Sequence, residues 1–151
     1  MTMIRLPSEF LEFLRLLNEN GVRYLVVGGY AVAYHGYPRT TADIDIWIAR
    51  DQDNAHRMVA ALSAFGFGVA DLDASLFLNE DGLIRMGRAP VRIEILMSIP
   101  GVEFDRCYAD RDRVDIDGTS INLIGLEALR INKLATGRHR DLDDLENLPD
   151  S

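Results

Sequence analysis

Apolar and polar residues follow two different periods in the first third of the chain. Between residues 8 and 20 the apolar positions recur every three or four residues, which predicts an amphipathic helix. Tyr24–Val27 is a short apolar run, and Asp43–Ile48 alternates acidic and apolar side chains, as half-buried strands do. Gly28-Gly29 predicts a turn, followed by a short helix from about Tyr30. The predicted order is helix, strand, glycine turn, short helix and acidic strand.

The middle of the chain continues with one helix and several short strands. Asp51 is expected to cap a helix that runs to about residue 65 and ends at Gly66. Strands are predicted at 67–69, at 75–78 and along the alternating run 91–99. Residues 101–119 contain little beyond turn markers, so no element is predicted there.

The last part of the chain is helical in pattern. A helix is predicted from Leu126, with an interruption near Gly137 and a second helical stretch after it. We predict one α+β domain over residues 1–151, in which helices pack mainly on one side of a small mixed sheet. The core would lie at about 22–100, and a helical cover at about 123–148.

Composition excludes several classes of function. The chain has 151 residues, of which 48% are apolar and 26% charged, so it can bury the core of one globular domain. Its net charge of −8 opposes binding of long nucleic acid but less so of small nucleotides. The single cysteine rules out an internal disulfide, and no apolar run reaches the roughly 18 residues of a membrane span. Without the apolar core of a signal peptide, a cytoplasmic location with no membrane contact is the simplest expectation.

The acidic strand carries the first candidate chemistry. Because side chains alternate along a strand, Asp43 and Asp45 project from the same face, about 7 Å apart along the chain. Two like charges repel unless a cation lies between them, and Mg²⁺ (or Mn²⁺) prefers carboxylates together with substrate phosphates. Gly28-Gly29 lacks side chains, so its backbone N–H groups can approach a phosphate closely at the start of the next helix.

The glycine pair and the acid pair together resemble a known signature. Gly28-Gly29, Arg39, Thr41 and Asp43-x-Asp45 followed by Ile-Trp-Ile are similar to GG…R-x-T-x-D-h-D-h-h, where h is hydrophobic. This is the signature of small prokaryotic nucleotidyltransferases with the DNA polymerase β-like fold, of the AbiEii/MNT-like type. The resemblance implies that fold, an NTP substrate, Mg²⁺ or Mn²⁺ at the aspartates, and transfer of a nucleoside monophosphate to a hydroxyl with release of pyrophosphate.

The resemblance also implies a third carboxylate on a strand beside the acidic one. Glu94 is the candidate, since it lies between isoleucines on the predicted strand. In the family this carboxylate binds metal or takes the proton from the attacking hydroxyl. Aspartate is the commoner residue there, and glutamate is one methylene longer. The residues alone equally allow Glu94 to be a wetted carboxylate paired with Arg92 or another neighbour.

Cations are expected to bind the triphosphate. Arg39 precedes the acidic strand, and its guanidinium matches a phosphate or a carboxylate. A looser similarity, the stretch K-x-x-x-G-R-x-x-D, implies that Lys133 or Arg138 reaches the nucleotide. The predicted nucleotide-binding residues are Gly28, Gly29, Arg39, Thr41, Lys133 and Arg138. The alternative for the last stretch is a set of solvated helix pairs, Arg138 with Asp141 and Arg140 with Asp144.

The acceptor of the transferred group is not indicated by any motif. A protein side chain, an RNA end and a small molecule all remain open, and a partner protein could supply acceptor recognition. A regulatory, toxin–antitoxin-type partner that retains the fold without turnover is the alternative function. A third possibility is a domain that senses Mg²⁺–NTP without an acceptor.

Overall fold

The elements predicted for the first third of the chain are present. The computed structural model describes residues 6–38, 41–66, 72–88 and 91–150. Its first elements are α1 (Ser8–Glu19), β1 (Tyr24–Val27), α2 (Gly28–Tyr34) and β2 (Asp43–Ile48). The apolar stripe of α1 is buried, as its amphipathic pattern requires. The short helix begins at Gly28 rather than near Tyr30, so the glycine pair forms its first turn.

In the middle of the chain, the predicted helix is present and one predicted strand is a different element. Helix α3 (Gln52–Phe65) is capped by Asp51, whose side chain accepts from the Asn54 N–H, and it ends at the left-handed Gly66. The strand predicted at 75–78 is instead a short 3-10 helix, Ala74–Phe77. The Asp73 side chain accepts from the Ser75 N–H, and this local bond favours a turn over an extended strand. The strand predicted at 67–69 lies outside the described residues.

The remaining elements include a hairpin that the sequence pattern did not indicate. They are β3 (Leu83–Arg88), β4 (Val91–Leu96), α4 (Phe104–Ala109), β5 (Asp112–Ile116), β6 (Thr119–Leu123), α5 (Leu126–Thr136) and α6 (His139–Asn147). Asp117 and Gly118, both at positive φ, connect β5 to β6. Gly137 ends α5, so the predicted helix interruption is confirmed. Among the described residues, no helix combines the length and apolar character needed to cross a membrane.

The sheet is mixed and has two unlike faces. Its strand order is β3-β4-β2-β1-β6-β5; β2 pairs with β4 in parallel and with β1 in antiparallel orientation. Ile44, Ile46 and Ile48 are fully buried on the face that packs on α1 and α3. Asp43 and Asp45 project from the opposite face, where Trp47 packs edge-on against Phe104 of α4. The burial of the isoleucines therefore sets which face carries the acids.

A buried asparagine joins α3 to the ends of two central strands. The Asn54 side chain accepts from the Arg23 N–H at 2.8 Å and donates to the Arg23 and Ala49 carbonyl oxygens at 3.1 and 2.8 Å. Arg23 immediately precedes β1 and Ala49 immediately follows β2. Because Asn54 is fully buried, these backbone groups are out of contact with bulk water and depend on its side chain for their hydrogen bonds.

We expect Asn54→Ala to lower the free energy of unfolding by about 2–4 kcal/mol, since it leaves buried backbone groups without partners. Urea denaturation followed by circular dichroism measures this. Gln52→Ala, an exposed change in the same helical turn, should stay within about 0.5 kcal/mol of the unchanged protein. Equal stability of the two variants would show that Asn54 does not carry this connection.

Candidate active site

Strand register places charged residues in two rows on the face opposite α1 and α3. In the parallel pairing of β2 with β4, Asp45 lies beside Glu94, and Asp43 lies beside Arg92. The antiparallel pairing of β3 with β4 places Arg85 opposite Glu94. Paired residues point to the same side of a sheet, so all five side chains share one face. The two predicted aspartates and the predicted third carboxylate thus lie on the same face of two neighbouring strands.

Asp45 and Glu94 form an acid pair on neighbouring strands. Burial raises the pKa of Asp45 to about 7, assisted by a hydrogen bond with Glu94 and by the charges of Glu94 and Asp43. The positive charge of Lys133 lowers the pKa of Asp45 and so acts in the opposite direction. A hydrogen bond between two carboxyl groups requires a proton on one of them. Near neutral pH the pair therefore holds a proton that a cation could replace.

Each of the outer carboxylates has an arginine beside it. Arg85 Nε donates to Glu94 Oε1 at 2.9 Å. Arg92 Nε lies 3.2 Å from Asp43 Oδ1, close enough for an ion pair. The two atoms are not aligned for a hydrogen bond, and each is buried without a hydrogen-bond partner among the described residues. Glu94 is thus paired through the neighbouring strand, and Asp43 keeps an unsatisfied oxygen.

The glycine pair allows the acidic strand to pack closely against the start of α2. Gly28 has φ +69°, and a Cβ there would collide with Asp45 Oδ2. A Cβ at Gly29 would lie 2.9 Å from the Thr41 Cβ. Thr41 in turn donates its hydroxyl to the Asp43 carbonyl oxygen at 3.1 Å. Both glycines are therefore needed for close packing beside the acids, whether or not a phosphate binds there.

The C-terminal helices bring two of the predicted cations towards the acids. Lys133 is buried, with Nζ 3.2 Å from Asp141 Oδ1 and 2.9 Å from Asp144 Oδ2. Arg138 Nε donates to Asp141 Oδ2 at 2.7 Å, as the helix-pair alternative expected. Asp144 pairs with Lys133, a partner that the alternative did not include. The hydrogen bond with Asp141 is the main cause that raises the pKa of Arg138, and the charge of Asp45 adds to it, so both cations lie within electrostatic range of Asp45.

Asp141 is the centre of this buried charge cluster. Burial alone would raise its pKa, but hydrogen bonds from Arg138, Thr136 and Lys133 lower the pKa well below the ordinary range. Asp141 also accepts from the Arg138 N–H at 3.2 Å, which caps α6. The cluster therefore joins α5 to α6 and fixes where the ammonium of Lys133 lies.

One predicted site residue is not described by the structure, and two residues of the site were not predicted. Arg39 lies outside the described residues, so its phosphate contact stays a prediction. Arg85 and Arg92 are site residues that the sequence analysis did not propose. The alternation along β4 places Arg92 on the face of Glu94, but no sequence signal indicates Arg85, because its position depends on the register of β3.

The chemistry of the acids fits a divalent cation. Three carboxylates share one face, and Asp43 Oδ1 is a buried oxygen without a hydrogen-bond donor among the described residues. Within those same residues, no three Asp, Glu, His or Cys side chains are grouped as they would be around a metal. Arg85 and Arg92 each lie within ion-pair distance of one of these carboxylates. A metal would have to compete with these guanidinium groups.

Comparison with known proteins identifies the family of this chain. Residues 8–150 match the model of a family described as nucleotidyl transferase of unknown function, DUF2204. The chain belongs to this family. The resemblance to nucleotidyltransferases drawn from the signature is thereby confirmed at the level of the family. No protein of the curated set matches the sequence.

Solved structures of nucleotidyltransferases share the fold of this family member. A proposed nucleotidyltransferase from Thermotoga maritima is similar, with 22% identity and a TM-score of 0.62 over 95% of this chain and 93% of the other. An antigenic nucleotidyltransferase-like protein from Paracoccidioides brasiliensis has 18% identity and a TM-score of 0.54, over 94% and 76% of the two chains. These similarities confirm the predicted α+β, DNA polymerase β-like fold.

The raised pKa of Asp45 predicts how stability without metal depends on pH. A folded pKa of about 7 against the ordinary 3.8 means that Asp45 contributes stability at low pH, and this contribution is lost as the pH rises to about 7. The amide in the Asp45→Asn variant cannot ionise. With a chelator present to remove metal, this variant should therefore melt a few degrees above the unchanged protein at pH 8. The gap should narrow towards pH 4, as thermal melts across this range can show.

The exposed Asp115→Asn on β5 is the matched control and should show no such pH-dependent gap. An Asp45→Asn protein that melts below the unchanged chain at pH 8 would contradict the repulsion between Asp45 and Glu94. Asp45 would then be a structural partner in the fold.

The lowered pKa of Asp141 predicts the opposite dependence. Its contribution to stability is present above the ordinary pKa of 3.8 and is lost as the pH falls towards its folded value. We expect Asp141→Asn to cost about 3 kcal/mol at pH 7, because Lys133 stays buried with one carboxylate fewer. The cost should shrink below about pH 4, where unfolded aspartate is protonated. Denaturant titrations at pH 7 and pH 3 measure both values, with the exposed Glu146→Gln as control.

Proposed function

We propose that this chain transfers a nucleoside monophosphate from an NTP to the hydroxyl of an acceptor and releases pyrophosphate. The observation that carries the proposal is the pairing of Asp45 with Glu94 beside Asp43, on one face of a sheet with the nucleotidyltransferase fold. The raised pKa of Asp45 supports it, since strongly perturbed acids concentrate at sites where charge is handled. Membership of a nucleotidyl transferase family is consistent with the same chemistry.

The three acids would bind Mg²⁺ or Mn²⁺. When bound, the cation neutralises charge on the phosphates and lowers the pKa of the acceptor hydroxyl. Asp43 and Asp45 project from one strand as metal ligands, and Glu94 completes the site from the next strand. The acceptor oxygen forms its bond to the α-phosphorus as the bridging oxygen leaves with pyrophosphate. In our proposal Glu94, deprotonated once the cation has replaced the proton of the Asp45–Glu94 pair, receives the hydroxyl proton.

Binding of the triphosphate is proposed for the residues around the acids. The close packing at Gly28, Gly29 and Thr41 forms one boundary of the site. Arg39 would approach from the connection between α2 and β2. Lys133 and Arg138 would act from the helical cover, and their electrostatic coupling to Asp45 supports this. Because the protein has little covalent chemistry to perform, placement of these charges would supply most of the rate.

The acceptor class remains open within the proposal. A protein side chain, an RNA end or a small molecule would suit the chemistry, while the net charge of −8 disfavours long nucleic acid. We place the protein in the AbiEii/MNT-like group, in which a partner protein is possible. Use of cellular NTPs would place the reaction in the cytoplasm.

Incubation with labelled nucleotides tests the proposal. The pure protein is mixed with each α-labelled NTP, Mg²⁺ or Mn²⁺, and a cell extract fractionated into protein, RNA and small molecules. We expect label in one fraction together with release of pyrophosphate. If no NTP gave either a labelled fraction or pyrophosphate, the transferase function would be contradicted.

We expect Glu94→Gln to retain NTP binding and to lose at least about a hundredfold in transfer rate, the usual scale for a lost base or metal ligand. Equilibrium binding and single-turnover transfer separate the two effects. Glu9→Gln, a change on the exposed surface of α1, should transfer at the unchanged rate. Full activity of Glu94→Gln would mean that another group accepts the proton.

A further inference from the structure

Arg85 and Arg92 lie over the acids at the surface of the site. Their side chains are 58% and 41% exposed, whereas the carboxylates of Glu94 and Asp43 beneath them are 18% and 30% exposed. The two arginines come from adjacent strands and are not part of the nucleotidyltransferase signature. A ligand that approaches the acids from solvent would therefore meet these guanidinium groups first.

Neither arginine uses its full bonding capacity on the acids. Arg85 contacts Glu94 through Nε, and Arg92 Nε is near Asp43 without hydrogen-bond alignment. A guanidinium has five N–H donors in a planar fork, which suits two oxygens of one anion. Among the described residues, no side-chain hydrogen bond uses the terminal NH₂ groups of either arginine. Both groups thus keep the donors that bind a phosphate best.

We propose that Arg85 and Arg92 are triphosphate ligands that pair with the acids until a metal-bound triphosphate arrives. This inference rests on the proposed function. A metal would take the Glu94 and Asp43 oxygens that the guanidinium groups now contact. The freed guanidinium groups would then bind phosphate oxygens, so that every charge in the site keeps a partner of opposite sign.

Partner exchange and a purely structural role of the arginines predict different affinities for metal and triphosphate. If the arginines only neutralise the acids, their removal should leave triphosphate affinity unchanged or weaken all binding through loss of structure. If they exchange partners, their removal should have effects of opposite sign. The metal would lose a competitor and bind more tightly, while the triphosphate would lose a ligand and bind more weakly.

Binding of Mn²⁺ alone and of tripolyphosphate with Mn²⁺ tests this on Arg85→Gln and Arg92→Gln. Electron paramagnetic resonance measures free Mn²⁺, and calorimetry measures tripolyphosphate. We expect each variant to bind Mn²⁺ a few-fold more tightly and tripolyphosphate about tenfold or more weakly. Arg15→Gln is the matched control, since Arg15 is a similarly exposed arginine paired with Glu12 and Glu19 on α1. It should change neither affinity.

Arg85→Lys and Arg92→Lys keep the positive charge beside each acid. They provide a second test if the glutamine variants do not fold. Without the planar fork, they should bind tripolyphosphate several-fold more weakly. The proposal is overturned if the folded variants bind tripolyphosphate with the same affinity as the protein without substitutions. It is also overturned if the protein without substitutions does not bind tripolyphosphate. Weaker binding of both Mn²⁺ and tripolyphosphate also overturns it and indicates a structural role.

The transfer assay is independent of these measurements. Nucleotide transfer together with normal tripolyphosphate binding by the arginine variants would reject this inference alone. The expected binding pattern without transfer to any acceptor would reject the proposed function alone.

Discussion

The parallel pairing of β2 with β4 is the constraint on which the site depends. It aligns Asp45 with Glu94 and Asp43 with Arg92, and burial of the isoleucines on the other face prevents a shift of one residue. Such a shift would turn the acids into the apolar core. The hydrophobic effect therefore holds like charges together on the opposite face, where burial, assisted by the neighbouring carboxylates, raises the pKa of Asp45.

Helices α5 and α6, which form the helical cover, place a buried positive charge near these carboxylates. Lys133 is buried between Asp141 and Asp144, so its ammonium cannot move freely towards solvent or ligand. Its field nevertheless reaches Asp45 and favours ionisation there. The exposed Arg85 and Arg92 differ from Lys133 in this respect, because solvent reaches their side chains. The site thus combines a buried cation with exposed ones.

Most of the fold could be predicted because its elements have strong local patterns. The amphipathic α1, the alternating β2 and the capped α3 each bury one side, and that requirement is visible as a period. The strand predicted at 75–78 was wrong because a local Asp73 bond outweighed apolar composition. The β5–β6 hairpin was missed because polar residues alternate weakly along these partly exposed strands.

The sequence alone indicates a nucleotidyltransferase, the acid pair and the glycine pair, since these depend on spacing within one short stretch. It also indicated Glu94 through alternation along a single strand. The packing of the whole chain sets three further contacts: Asp45 beside Glu94, Arg85 opposite Glu94, and the buried Lys133 beside Asp141. The first joins strands far apart in the chain, and the other two join consecutive elements. Their register is set by how the whole core packs, which no local period encodes.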